Sequence, residues 1–305
     1  MMLAFWLVVF IMIASRQFVV LGNTYLMGED ASCFLNRVLE KGLFSVFIPN
    51  TGYIQIIPQF VTWVSLMMSR LLGQGIQLVP YFMMFTALAI ETVFVAKICS
   101  KDFRWFVESD LYRFGIALAA VLLTSDKAFE VWHNITCWQW WSGFYIMLIG
   151  MKLLHDRNLS VKNTELAALI LIGLSTPLAV ITVCIFSYII SIKAIKKQYR
   201  RDNIRNDVTK YMCVLIPCGI QGVFTFLDKR TDTGVSILSN FFSAAKSTVA
   251  SIPASVLYPD YLNQLYQRSD TDGHAVYVVL ALGFLVWMLL FVVYLKNKKV
   301  HMCTG

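Results

Sequence analysis

The sequence predicts an all-α, polytopic membrane protein, and three observations carry that prediction. Of the 305 residues, 58% are hydrophobic and only 14% charged, whereas a soluble domain is nearer a quarter charged. Apolar stretches approaching the roughly 20 residues that a helix needs to cross a hydrocarbon core recur along the chain. Basic residues gather in the short polar loops between those stretches, so the net charge of +8 reads as a topology signal and not as a nucleic-acid surface.

The elements follow in order. Residues 3–22 lack a basic leader, and Gly22-Asn23-Thr24-Tyr25 is a poor cleavage site, so this stretch is expected to be a retained first helix. Further apolar stretches fall at about 51–72, 75–97, 113–124, 138–154, 164–194, 210–227 and 274–295. As one helix, 164–194 would extend about 45 Å against a core of about 30 Å. Ser175-Thr176-Pro177 interrupts it, which predicts two helices meeting at a tight apex.

The stretch 51–72 decides the topology. If it crosses, Lys97, Lys101, Arg104 and Arg113 fall outside, against the positive-inside rule. If it lies on the outer surface as an amphipathic helix, the inside loops 97–113, 152–162, 193–210 and 296–299 hold 17 of the 26 Lys and Arg. The expectation is therefore one transmembrane domain over 1–305 with eight crossings, the surface helix, and both termini in the cytoplasm. Outside would lie a first loop (23–74), a short loop near 125–137, the apex, and a final loop (228–273). Seven cysteines occur without a C-x-x-C pair, and for Cys33 and Cys137, both external, separate thiols are favoured over a disulfide.

Chemistry is expected first at Glu29-Asp30, just past the first helix. Adjacent carboxylates raise one another's pKa, so one of them suits a base or a metal ligand; a solvated pair is the bland alternative. The segment Trp132-His133-Asn134-Ile135-Thr136-Cys137-Trp138-Gln139-Trp140-Trp141 reads chiefly as an interfacial aromatic belt. Asn134-Ile135-Thr136 also matches a glycosylation acceptor, disfavoured so close to the membrane. Arg16 and Glu91 lie within apolar runs and should face the bundle interior, Glu91 as a structural residue. The basic loop Lys193 to Lys210 reads as a topology anchor.

The wording Glu29-Asp30-x-x-x-Phe34, with Pro49-x-x-Gly52-Tyr53-Ile54-x-x-Ile57-Pro58 after it, resembles the first loop of integral-membrane glycosyltransferases of the GT-C fold. Glu130-Val131-Trp132-His133 and Leu174-Ser175-Thr176-Pro177 extend the resemblance to about two thirds of the chain. It implies transfer of a sugar from a polyprenyl-phosphate donor to a cell-surface glycan or lipid acceptor, at the outer face of the bacterial cytoplasmic membrane. It also implies that an acidic residue of this loop activates the acceptor hydroxyl or holds a divalent cation such as Mg or Mn. Asp30 is the preferred base or metal ligand, with Glu29 as its partner. The family order is Asp-Glu, so both stay candidates.

Substrate contacts are expected from Tyr53, Gln55, Glu130, His133, Asn134 and Gln139, whose polar atoms suit sugar hydroxyls. Lys229 and Arg230 would face the donor phosphate or bind lipid headgroups. The chain is short beside this family, which implies a partner membrane subunit. A non-enzymatic glycolipid flippase or accessory subunit of polysaccharide assembly is the alternative, and would need polar residues spread through the crossings.

Overall fold

The computed structural model describes residues 2–15, 24, 26, 29–50, 52–122, 134–196 and 201–227. Among them every regular element is helical, as expected. Helix α1 spans Met2–Ser15; a π-helical turn, Asp30–Leu35, continues into α2, Asn36–Lys41, and a 3-10 turn, Gly42–Phe47. Then come α3 (Ile56–Leu71), α4 (Val79–Ala96), α5 (Asp110–Leu122), α6 (Trp138–Asp156), α7 (Asn163–Gly173), α8 (Val180–Ile195) and α9 (Arg201–Leu227).

Three helical stretches among the described residues are long and apolar enough to cross a membrane: Val79–Cys99, Pro177–Ile195 and Ile204–Thr225. Leu3–Ser15 and Asn163–Gly173 are shorter apolar helices. The stretch 274–295 and the loop 228–273 lie outside the described residues.

The expected break in 164–194 is present. Helix α7 stops at Gly173, the Thr176 side chain accepts from Leu178 N–H at 3.3 Å, and Pro177 opens the turn that leads into α8. Small residues set the spacing around it. A Cβ on Gly173 would stand 2.9 Å from Pro217 Cβ of α9, and one on Gly150 of α6 would stand 2.5 Å from Ile185 Cδ1 of α8. The core is apolar and aromatic: Phe94 of α4 lies 4.9 Å, centroid to centroid, from Tyr145 and 6.2 Å from Trp138 of α6.

Helix α3 corrects the expectation for 51–72. It forms an antiparallel hairpin with α4, with Leu78 N–H donating to Ser69 Oγ at 3.2 Å and Thr62 Oγ1 lying 3.7 Å from Met83 Sδ. It is amphipathic, but the buried face is the polar one: Gln59, Thr62, Ser65 and Ser69 point inward, while Phe60, Val64, Met68 and Leu71 are exposed. A water-seated helix shows the reverse polarity. An outward apolar face against an inward polar one is what a lipid-facing helix needs.

The two ends of the bundle differ in chemistry. At one end Lys97 donates to Glu165 at 2.6 Å, Lys152 to the same carboxylate at 2.9 Å, and Lys162 to Asp102 at 2.7 Å. Arg113, fully buried, donates to Glu108 O at 3.0 Å and to Asp110, closing the start of α5. Part of the expected topology anchor is internally paired there: Lys193 donates to Asp207 at 2.7 Å and Lys210 to Leu159 O at 2.7 Å.

The opposite end is built from amides and hydroxyls. Gln221 of α9 brackets Ile54, accepting from its N–H and donating to its C=O, both at 2.8 Å. Ser175 Oγ accepts from Ile57 N–H at 3.0 Å. Gln221→Leu would leave both backbone groups of the buried Ile54 unpaired, at about 1–3 kcal/mol each. The expected result is a thermal midpoint several degrees lower in detergent; an unchanged midpoint would show that the bracket contributes nothing.

Candidate active site

The site grows from the first turn after residue 28. Glu29 and Asp30 are successive residues of one helical run, so their side chains leave about 100° apart and cannot share one environment. Asp30 turns into the bundle and is 5% exposed. Thr136, from the turn that opens α6, donates its hydroxyl to Asp30 Oδ1 at 2.5 Å. Thr136 is itself held, because its backbone N–H donates to Asn134 Oδ1 at 2.7 Å.

Glu29 belongs to a second chain of contacts. Asn50 Nδ2 donates to Glu29 Oε2 at 3.2 Å, Arg37 donates to Asn50 Oδ1 at 3.1 Å, and its other nitrogen donates to Pro49 O at 3.0 Å. A guanidinium thus fixes the amide that fixes the carboxylate. Tyr53 OH donates to Gln139 Oε1 at 3.3 Å, drawing two of the expected contact residues together. Gln55 Oε1 and both amide atoms of Gln59 are buried with no protein partner, which is unusual for polar atoms in a folded core.

Electrostatics separate the two carboxylates. Burial pushes the Asp30 carboxyl from 3.8 up to about 7, partly opposed by the Thr136 hydrogen bonds and reinforced by the Glu29 charge. A carboxylate that titrates near neutrality is matched to accept a hydroxyl proton. Thr136→Val removes a bond to the charged form, so the pH midpoint of any Asp30-dependent rate is expected to rise by about one unit. A pH–rate profile checks this; an unmoved midpoint would detach Thr136 from the site.

Of the expected residues, the structure gathers Asp30, Glu29, Tyr53, Asn134 and Gln139 at the amide-rich end; Gln55 leads into α3 from the same strand of chain. Glu130, His133, Lys229 and Arg230 lie outside the described residues, as does Arg16. Glu91 is fully buried in α4, as expected. Cys33 and Cys137 are not joined in a disulfide. Asn134-Ile135-Thr136 serves Asp30 and its own turn: Asn134 is 6% exposed and its side-chain oxygen is in use.

Sequence reasoning missed Thr136, Asn50, Gln59 and Gln221. The one available signal was polarity within apolar surroundings, which Gln221 and Gln59 both show. The described residues do not fit a divalent cation at Asp30. No group of three His, Cys, Asp or Glu side chains able to hold one occurs among them, and Thr136 already engages the Asp30 oxygen that faces it. No step below runs through a metal.

Compared with known protein families, characterised proteins and solved structures, the chain matches none.

Proposed function

We propose that this protein is a membrane glycosyltransferase in which Asp30 is the general base. The buried carboxyl at about 7, hydrogen-bonded by Thr136, is the observation that carries the reading. An acceptor hydroxyl oxygen bonds to the anomeric carbon of a polyprenyl-phosphate sugar. The bond from that carbon to the phosphate oxygen breaks, and its electron pair leaves with the phosphate. The hydroxyl proton passes to Asp30. Glu29, steered by Arg37 and Asn50, keeps a negative charge beside the base and raises its affinity for that proton.

The donor class and the acceptor, a cell-surface glycan or lipid, rest on the resemblance of the first loop. In this reading the GT-C-like bundle makes eight crossings. The positive-inside rule puts the lysine-rich end in the bacterial cytoplasm and the amide-rich end outside. Tyr53, Gln55 and Gln139 meet sugar hydroxyls; Glu130, His133, Lys229 and Arg230 remain proposed contacts to sugar and phosphate.

A second reading, a glycolipid transport or accessory subunit, draws on the inward polar face of α3, since polar residues lining a helix interior are what a route needs. Membranes carrying the protein, given labelled polyprenyl-phosphate sugars and cell-surface glycan, separate the two. Transfer by wild type and its loss in Asp30→Asn support the enzyme. Absence of transfer from every donor, with folded protein, supports the second reading.

A further inference from the structure

We propose that the segment Asn36–Phe47 is seated in the membrane–water boundary, with Leu39, Leu43, Phe44 and Phe47 in the acyl layer of the surrounding bilayer. This rests on the membrane reading above and goes beyond it by assigning a lipid contact to a part of the chain outside the spans.

The four side chains are 45%, 46%, 79% and 64% exposed and recur at i, i+4, i+5 and i+8, so they share one side of the segment. Its other side is buried through Val38, Ser45 and Val46, and the segment packs on α3. The outward face of α3 is itself apolar, through Phe60, Val64, Met68 and Leu71. A protein in water rarely leaves so many large apolar side chains together on its surface.

Two limits fix the depth. Water is excluded by the apolar face. The hydrocarbon centre is excluded by the exposed charges of Glu40 and Lys41 and by the irregular backbone, which breaks at Gly42 with φ +57° and tightens into the 3-10 turn. Backbone that changes hydrogen-bonding pattern and carries charge is tolerated at the headgroup boundary and not in lipid tails. Bilayer lipid is the fitting occupant, and not a second copy or another protein, because the apolar face belongs to an element packed against the lipid-type outer face of α3.

The consequence concerns delivery. Asp30 opens the same helical run that carries Leu39, so the base lies close to the headgroup layer, where the head of a lipid-borne substrate arrives by lateral diffusion.

The test places 4-trifluoromethylphenylalanine singly at Phe44, at Lys41 and at Ile216, an exposed apolar position of α9, in phosphatidylcholine bicelles with phosphatidylglycerol. Fluorine relaxation by dissolved oxygen is compared with relaxation by a water-soluble nickel chelate. The expected oxygen-to-nickel ratio at position 44 is at least about threefold above that at 41 and below that at 216, as a boundary location requires. Nickel accessibility at 44 equal to that at 41, with 216 shielded, overturns the proposal while leaving the membrane reading intact. Shielding of 44 from both reagents means that protein covers it, and also overturns the proposal. Nickel accessibility at 216 removes the membrane reading and this proposal together.

Discussion

Asp30→Asn is expected to abolish sugar transfer and, at neutral pH, to make the protein more stable. Both effects have one cause. The carboxyl is pushed by burial from 3.8 to about 7, a little over three units, and each unit corresponds to about 1.4 kcal/mol. Holding Asp30 ionised in the folded state therefore costs up to about 4 kcal/mol once the pH is above 7.

The sign follows from proton counting. Between about pH 4 and pH 7 the folded chain keeps a proton that the unfolded chain has lost, so stability from this site falls as pH rises through that window and levels off above it. Asparagine has no such slope. Thermal unfolding at pH 5 and pH 8 should show wild type less stable at the higher pH through this site, and the variant relieved of that loss. Transfer should drop by about 10²–10⁴, the usual worth of a positioned base. In wild type the rate should rise through pH 7 as Asp30 loses its proton. Glu29→Gln should move that midpoint downward, because the Glu29 charge contributes to the elevation, whereas Thr136→Val moves it upward. A variant at position 30 that transfers sugar at the wild-type rate would remove the base from the mechanism.

The second large effect is expected at the other end of the bundle. Glu165, 2% exposed, accepts from Lys97 at 2.6 Å, from Lys152 at 2.9 Å and from the Lys162 backbone N–H at 3.0 Å. Glu165→Gln would leave two largely buried ammonium groups with Asp102 alone, at 3.5 and 3.9 Å. Breaking a buried pair by neutralising one partner costs about 3–5 kcal/mol, because the remaining charge keeps its desolvation penalty.

Asp102→Asn should cost less, since that carboxylate is 18% exposed against 2%. Burial opposes its charge, yet the hydrogen bond from Lys162 and the charges of Lys152 and Lys97 hold it below the usual carboxylate range. Its stabilisation is present above the unfolded value near about 3.9 and fades as pH falls through the lower folded value. Combining Glu165→Gln with Lys152→Met should recover part of the loss, because the second change removes a stranded charge. Thermal midpoints for the three variants in detergent decide the matter; equal midpoints for Glu165→Gln and wild type would mean that the cluster is solvated.

Much of the fold was legible because its signals are local. Apolar composition announced helices, and Ser175-Thr176-Pro177 announced the break between α7 and α8, since a proline cannot continue the hydrogen bonding of the preceding turn. Charge in short loops marked the lysine-rich end, where Lys97, Lys152 and Lys162 gather. The acidic pair marked where to look for titration, and the carboxylate preferred as base is the one that the structure buries.

Other features were decided only by the tertiary structure. Periodicity of 3.6 says that α3 has two unlike faces but not which solvent each face meets. Inside a bilayer the polar face turns inward, and Gln59, Thr62, Ser65 and Ser69 do so. Sequence spacing also could not pair Asp30 with Thr136, 106 residues away, or Ile54 with Gln221, 167 residues away. Those contacts exist because helices that are neighbours in space need not be neighbours in the chain. Composition and local pattern thus determined what elements this protein is made of. Packing determined that one carboxylate of an adjacent pair leaves water while its neighbour is tied to an amide, and burial is what shifts a proton's affinity.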